Sequence, residues 1–122
     1  MRTMLRRAAA LVAGTAAVAV LTVGTADAAP AGTSDGCPYG AVCVYPQGQN
    51  PATTPNLIFW TYGAHNLSGQ YGFHWILNNQ YGGARAKLCS GYNGTGTCHH
   101  DMDPQDGWWT DLTPVNSIVL YK

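Results

Sequence analysis

The chain has 122 residues, with six basic and six acidic side chains and no net charge at neutral pH. Three of the basic residues, Arg2, Arg6 and Arg7, lie in the first segment, so the remainder carries no basic stripe of the kind that binds nucleic acid. We therefore expect no nucleic acid among the partners of this protein.

Residues 1–28 have the pattern of an export signal. The three arginines precede an apolar run at 8–24, and Ala26-Asp27-Ala28 forms an A-x-A cleavage site. We expect cleavage after Ala28 and a secreted, extracellular protein without membrane contact. A membrane anchor is the alternative, but a run of 17 mostly small residues is marginal for spanning a bilayer.

The mature chain would have 122 minus 28, or 94, residues, with three basic residues against five aspartates and no glutamate, a net charge of −2. A chain of this length forms one domain with a small core. We assign 29–36 to a flexible N-terminal lead-in and 37–122 to the domain, and we expect a monomer without a cofactor.

Four cysteines, Cys37, Cys43, Cys89 and Cys98, follow the signal and should be oxidised in an exported protein. They allow three pairings, among which the sequence does not choose. We favour the short loops Cys37–Cys43 and Cys89–Cys98, each of which would add about 2–3 kcal/mol of stability in the chain-entropy model.

Short β-prone runs separated by Gly, Pro and Asn predict an all-β fold. The predicted strands cover 41–45, 57–62, 73–77, 84–89 and 116–121, with a weaker strand near 107–111. The segment 46–56 contains three prolines and is predicted to be a loop. In 84–89, alternate residues separate an apolar face from a face with Arg85 and Lys87, which we expect to be solvated.

A faint internal repeat relates 42–50 to 86–94 at an offset of 44, and 73–77 to 115–119 at an offset of 42. Two units of about 43 residues suggest duplicated four-strand motifs in a sandwich.

Three motifs carry a resemblance to a known family: "CPYGAVCVY" (37–45), "WILNN" (75–79) and "VNSIVLY" (115–121). The chain resembles the secreted actinobacterial peptidase inhibitors typified by the streptomycete metalloproteinase inhibitor, over nearly all of 37–121. The resemblance implies a small, disulfide-stapled, βγ-crystallin-like sandwich of two Greek-key motifs. It also implies inhibition of an extracellular peptidase of the metallo- or serine type.

The calcium-binding form of that fold places Asn or Asp ahead of a Ser/Thr-Ser pair. The matching residues here are Gln70, Tyr71, His74 and Trp75 in the first half, and Leu112, Thr113, Asn116 and Ser117 in the second. Because Tyr71 and Leu112 cannot supply the carboxylate or amide oxygens that calcium prefers, we expect no calcium there.

A Cys89–Cys98 bond would close the loop 90–97, in which Asn93-Gly94 is a strong turn signal. A rigid exposed loop loses little entropy on binding, so it could enter and plug a peptidase cleft. The candidate contact residues are Ser90, Gly91, Tyr92, Asn93, Gly94 and Thr95. The alternative is a disulfide that merely compensates for a small core.

The reactive bond of such an inhibitor is not fixed by the sequence. Thermolysin-type enzymes favour an apolar residue after the cut bond, which points to Cys43-Val44 or, less well, to Tyr92 after Gly91.

The stretch 98–103 offers His99, His100, Asp101 and Asp103, which are side chains that suit zinc. Adjacent residues of an extended segment point to opposite sides, so His99 and His100 should rarely share one ion. We therefore predict a solvated polar turn and no metal, with these four residues as weak candidates.

Trp108 and Trp109 are adjacent in the weak strand, so one indole should face the core and the other the solvent. An exposed tryptophan can stack on a sugar or anchor a protein partner. The alternative function is thus a non-catalytic binding module, or a killer-toxin-like secreted protein of the same fold.

Enzymatic activity is not expected. Catalysis needs a positioned nucleophile and base, but the cysteines are expected to be paired and no G-x-S-x-G motif is present. His65 and His74 are isolated, and we interpret His74 as a half-exposed structural residue.

Overall fold

The computed structural model describes residues 32–122, which form an all-β domain, as predicted. The predicted signal peptide (1–28) and the first residues of the predicted lead-in (29–31) lie outside the described residues. The strands are β1 Val42–Val44, β2 Leu57–Phe59, β3 Gly63–Asn66, β4 Phe73–Asn78, β5 Arg85–Cys89, β6 Cys98–Met102, β7 Gly107–Asp111 and β8 Ser117–Tyr121. Within residues 32–122, no helix is long and apolar enough to cross a membrane.

The strands form two four-stranded antiparallel sheets. Sheet A has the order β2-β1-β4-β7, and sheet B has the order β3-β8-β5-β6. Three of the first four strands (β1, β2 and β4) form sheet A, and the remaining one, β3, belongs to sheet B. Three of the last four strands (β5, β6 and β8) form sheet B, and the remaining one, β7, belongs to sheet A. The second half of the chain begins 43 residues after the first, because β1 starts at Val42 and β5 at Arg85 (85 minus 42).

The main core lies between the sheets and is built from inward positions of β1, β4, β5, β6 and β8, together with residues that lie just outside the strands. It contains Val42, Val44, Leu67, Ile76, Ala86, Leu88, Met102, Leu112, Val115, Ile118 and Leu120. The alternation predicted for 84–89 is confirmed, because Ala86 and Leu88 are fully buried while Arg85 and Lys87 are partly exposed.

A second, smaller cluster covers part of the outer face of sheet A. It contains Cys37, Ala41, Cys43 and Tyr45, against which Ala52, Trp75 and Leu77 pack. Both favoured disulfides are present: Cys37–Cys43 crosses this cluster, and Cys89–Cys98 joins the paired strands β5 and β6. The prediction of short local loops is therefore confirmed.

The described part of the predicted flexible lead-in makes hydrogen bonds, since Ser34 and Cys37 exchange backbone hydrogen bonds and Gly32 O accepts one from Asn79 Nδ2 (2.7 Å). The structure differs from the sequence predictions in two strands. Strands β3 and β6 were not predicted, because "GAHN" and "CHHDM" lack β-branched residues. They form because they pair along β8 and β5, whose apolar residues lie in the core.

Buried amides close the end of the sandwich where β4 finishes. Asn78 Nδ2 donates to Ala84 O (3.1 Å) and Met102 O (2.9 Å), and Asn78 Oδ1 accepts from Gln80 N and Nε2. Asn79 Nδ2 donates to Cys37 O (2.9 Å). The two asparagines of the motif at 75–79 therefore link the end of β4 to Ala84, to Met102 at the end of β6 and to Cys37.

Candidate functional site

The disulfide-closed loop is a compact turn. Ser90 N donates to Thr97 O, and Gly91 N donates to Thr95 O. The tip is a 3-10 turn at Tyr92–Gly94, with Asn93 in the left-handed region at φ 58°. The loop is also fastened to the sandwich, because Asn93 N donates to Asn66 Oδ1 (2.7 Å) and Gly94 N to Ser117 Oγ (2.9 Å).

This geometry limits what the loop can contact. A peptidase cleft binds an extended chain, but the loop turns back on itself at Asn93. Tyr92, which is 56% exposed, is its most prominent apolar group.

The bond Cys43-Val44 is out of reach of a peptidase. Both residues are 0% exposed, and they lie in β1, which is hydrogen-bonded on both sides by β2 and β4. The hypothesis of peptidase contact at Cys43 and Val44 is therefore wrong for the folded protein. The local sequence favoured this bond because the apolar Val44 follows it, and a local pattern does not show the neighbouring strands on either side.

The two adjacent histidines come together, contrary to the prediction. The register of β5 and β6 shifts between Ala86 and Leu88, and His100 adopts φ 60° in the resulting bulge. The bulge breaks the alternation, so the rings of His99 and His100 lie with centroids 4.5 Å apart, edge to face. The segment is an edge strand and not the polar turn that was predicted.

The carboxylates of this segment have other partners. Asp101 accepts a hydrogen bond from the hydroxyl of Tyr121, and Asp103 forms an ion pair with Arg85. Within residues 32–122, no three His, Cys, Asp or Glu side chains converge on one point.

His100 instead closes one side of the sandwich. Its ring lies 4.5 Å from that of Trp108, and its Nε2 lies 3.4 Å from Thr110 Oγ1, so it joins the edge strands β6 and β7. Burial and the neighbouring His99 lower the pKa of His100. His74, predicted to be half-exposed, is buried, with its ring nitrogens 2.6 Å from Tyr45 O and 2.9 Å from Tyr71 O.

Trp108 and Trp109 point to opposite faces of β7. Trp108 pairs with the buried Ile76 and so lies on the inner face, but it stays 37% exposed because β7 is an edge strand. Trp109 pairs with Trp75 on the outer face and is 38% exposed.

Phe73, Trp75 and Trp109 form a row of aromatic rings on the outer face of sheet A, which we name the platform. The ring of Trp109 stacks on that of Phe73 at 5.8 Å between centroids and meets that of Trp75 at 5.6 Å. The row follows from strand geometry, since Phe73 and Trp75 are two positions apart on β4 and Trp109 faces them from β7.

A cavity of about 250 Å³ adjoins the platform at Trp75. Its walls are Asp35, Tyr45, Asn50, Pro51, Ala52, Trp75, Ile76, Leu77 and Gly107. Trp75 Nε1 lies 3.4 Å from Asn50 Oδ1, so the proline-rich loop supplies polar groups beside the aromatic rings.

Comparison with known proteins gives no match, since no family model, no curated protein and no solved structure is significantly similar to the chain. The likeness to peptidase inhibitors thus rests on the three short motifs.

The sequence pointed to Trp109 but not to its two partners in the platform. The alternation of a strand places Phe73 and Trp75 together on the outer face, opposite His74. That spacing was the available signal for a platform. The pairing of β4 with β7, which completes the row, is a long-range contact that no local pattern reveals.

Tyr45, in the cavity wall, gives an expected dependence of stability on alkaline pH. Burial, and secondarily the charge of Asp35, raise the pKa of Tyr45 to about 12, and its hydroxyl donates to Asp35 O (2.9 Å). An unfolded tyrosine ionises near 10, so the native state holds this proton longer and stability falls as pH rises from about 10 to about 12.

We therefore expect Tyr45→Phe to be less stable than the parent by about 1 kcal/mol below pH 10, because the hydrogen bond of the hydroxyl is lost. Above pH 10, the variant should lose less stability than the parent as the pH rises. Urea denaturation across this pH range measures both effects. Tyr121, whose pKa is also raised, stays in both proteins, so the difference between them isolates Tyr45. If the free energies of unfolding of the two proteins changed in parallel with pH, the loss of stability could not be assigned to Tyr45.

Proposed function

We propose that this protein is a secreted, non-catalytic carbohydrate-binding module that holds sugar rings against the platform. The arrangement that carries the proposal is the row of Phe73, Trp109 and Trp75 beside a cavity with polar groups. Sugar rings have apolar faces and hydroxyl edges, so they need flat aromatic surface and hydrogen-bonding groups together.

The charges around the platform favour a neutral sugar. Asp111 faces Phe73 across the strand pair, and Asp35 lies in the cavity wall. Hydrogen bonds from Thr113 lower the pKa of Asp111, so this carboxylate is ionised at neutral pH. Carboxylates accept hydrogen bonds from hydroxyl groups but repel anionic polymers.

We further infer that the domain is a βγ-crystallin-like pair of Greek keys. Support comes from the exchange of β3 and β7 between the sheets, which makes the two halves interlock in a symmetric manner. Export is supported by the two disulfides and by the signal-like pattern of 1–28.

Sedimentation with insoluble polysaccharides tests the function. The purified protein is mixed with cellulose, chitin, yeast glucan and bacterial cell walls stripped of anionic polymers, and the unbound fraction is measured. We expect depletion by at least one of these matrices at micromolar protein, with little change at high salt because the contacts are mostly uncharged. Full recovery of the protein from all four matrices would reject the function.

A second candidate is inhibition of an extracellular peptidase by the loop 90–97. The observation that favours it is rigidity, because the loop is closed by Cys89–Cys98 and hydrogen-bonded to Asn66 and Ser117. We expect inhibition, if this candidate is correct, to be lost in Tyr92→Ala and kept in Trp109→Ala. Unchanged activity of both a thermolysin-type and a subtilisin-type enzyme at micromolar protein would eliminate it.

A further inference from the structure

A second group of aromatic side chains lies away from the platform, and we name it the end cluster. Its members are Tyr39, Trp60, Tyr62 and Tyr81, which are between 46% and 59% exposed. Tyr39 stacks on Tyr81 with 4.8 Å between ring centroids. Four large rings left in solvent within a domain this small call for an explanation beyond the core.

The end cluster and the platform lie at opposite ends of β4. Val42 of β1 pairs with Phe59 on one side and with Asn78 on the other. The chain segments that follow β2 and β4 therefore leave sheet A at the same end. Trp60 and Tyr62 follow β2, and Tyr81 follows β4, whereas Phe73 is the first residue of β4. Along the strand, Asn78 lies about 17 Å from Phe73 and about 10 Å from Trp75, at about 3.3 Å per residue.

Three of the four rings line a cavity of about 190 Å³, and Tyr39 joins them by stacking on Tyr81. Its walls are Gly40, Trp60, Tyr62, Gln80, Tyr81 and Ala84. Gly40 is needed where it is, because it has φ 97° and a Cβ there would lie 3.3 Å from the ring of Tyr81 and 3.8 Å from that of Trp60. The small residue lets both rings approach the backbone.

Gln80 supplies a polar group in this cavity. The residue is 3% exposed, and its Nε2 donates to Asn78 Oδ1 (2.9 Å) and Arg85 O (3.2 Å), which fixes the amide. Within residues 32–122, no group donates a hydrogen bond to Gln80 Oε1. This oxygen is also not one of the fully buried atoms that lack a partner, so it keeps some exposure. An oriented acceptor with access to the cavity is therefore available to a ligand hydroxyl.

We propose that the end cluster is a second carbohydrate site, so that one protein molecule binds two stretches of polysaccharide. The occupant is a neutral sugar, because the described walls combine aromatic faces with a fixed amide oxygen and contain no charged side chain in residues 32–122. This inference rests on the proposed function, since the two sites would share a ligand class. Its consequence is cross-linking, because the sites lie too far apart to serve one sugar ring.

Calorimetric titration with soluble cellohexaose, chitohexaose and maltohexaose tests the inference. We expect the parent protein to bind two molecules of at least one oligosaccharide, and Trp60→Ala and Trp109→Ala to bind one each. The double variant should bind none. Tyr71→Ala, which removes a 63% exposed ring outside both sites, should bind two.

The thermal midpoints of all variants are measured as well, to show that each remains folded. A stoichiometry of one in the parent protein, unchanged by Trp60→Ala and abolished by Trp109→Ala, would overturn the second site and leave the proposed function intact. Absence of binding to the three oligosaccharides and to the insoluble matrices would overturn both. Aggregation of polysaccharide particles by the parent, but by neither single variant, would support the cross-linking consequence.

Discussion

Trp109→Ala is expected to weaken binding to the retained polysaccharide by about 30-fold, the effect of losing roughly 2 kcal/mol at a central aromatic contact. Trp109 is the middle ring of the platform and touches both of the others. Its removal therefore breaks the row into two separate rings and takes away the indole that contacts both of them.

The same substitution should change stability much less than binding. Trp109 lies on the outer face of an edge strand and is 38% exposed, so its removal leaves no closed cavity in the main core. Its neighbours hold it in place by ring contacts, which means that little side-chain entropy remains to be lost when a sugar binds. Trp109→Phe keeps a flat ring and should retain an intermediate affinity.

Binding isotherms on the insoluble matrix measure this effect, with Tyr71→Ala as the matched control. Tyr71 is 63% exposed and belongs to neither aromatic site, so its ring tests whether any exposed aromatic group contributes. Equal weakening by Trp109→Ala and Tyr71→Ala would indicate nonspecific adhesion. No weakening by Trp109→Ala would remove the platform as the binding surface.

The local pattern of the sequence accounts for much of the fold. Apolar strands such as β1, β4 and β8 were predictable because β-branched and aromatic residues mark them. The edge strand β6 was not, because its polar residues reflect the solvent on its open side, while its conformation is imposed by β5. Secondary structure that depends on a partner strand has no signature of its own.

The candidate site shows the same division. Adjacent indoles on opposite faces followed from the two-residue period of a strand. The meeting of His99 and His100 did not, because it depends on a single left-handed residue in a bulge. The end cluster was invisible for another reason, since its rings come from four different positions outside the strands and converge through sheet pairing.

Asn78→Ala is expected to lower the free energy of unfolding by about 4 kcal/mol. All four hydrogen-bonding positions of the Asn78 amide are used: two donors reach Ala84 O and Met102 O, and the oxygen accepts two bonds from Gln80. Truncation leaves the partner groups buried without bonds, at a cost of about 1–3 kcal/mol for each group that water cannot reach.

This loss is large for a domain of this size, whose total stability is on the order of 5–10 kcal/mol. Urea denaturation measures it, and Asn56→Ala serves as the matched control because Asn56 is exposed and should shift stability by less than about 0.5 kcal/mol. Similar midpoints for the two variants would show that the amide network contributes no net stability.

The network also links stability to the second site. Asn78 Oδ1 accepts a hydrogen bond from Gln80 Nε2 and so fixes the Gln80 amide, whose oxygen Oε1 is available to a ligand. Asn78→Ala should therefore free that amide to rotate. In protein that remains folded at low temperature, we expect weaker binding at the end cluster and unchanged binding at the platform, where no atom of Gln80 is present. Calorimetry on Asn78→Ala in the Trp109→Ala background isolates the end cluster, and an affinity equal to that of Trp109→Ala alone would show that Gln80 takes no part in recognition.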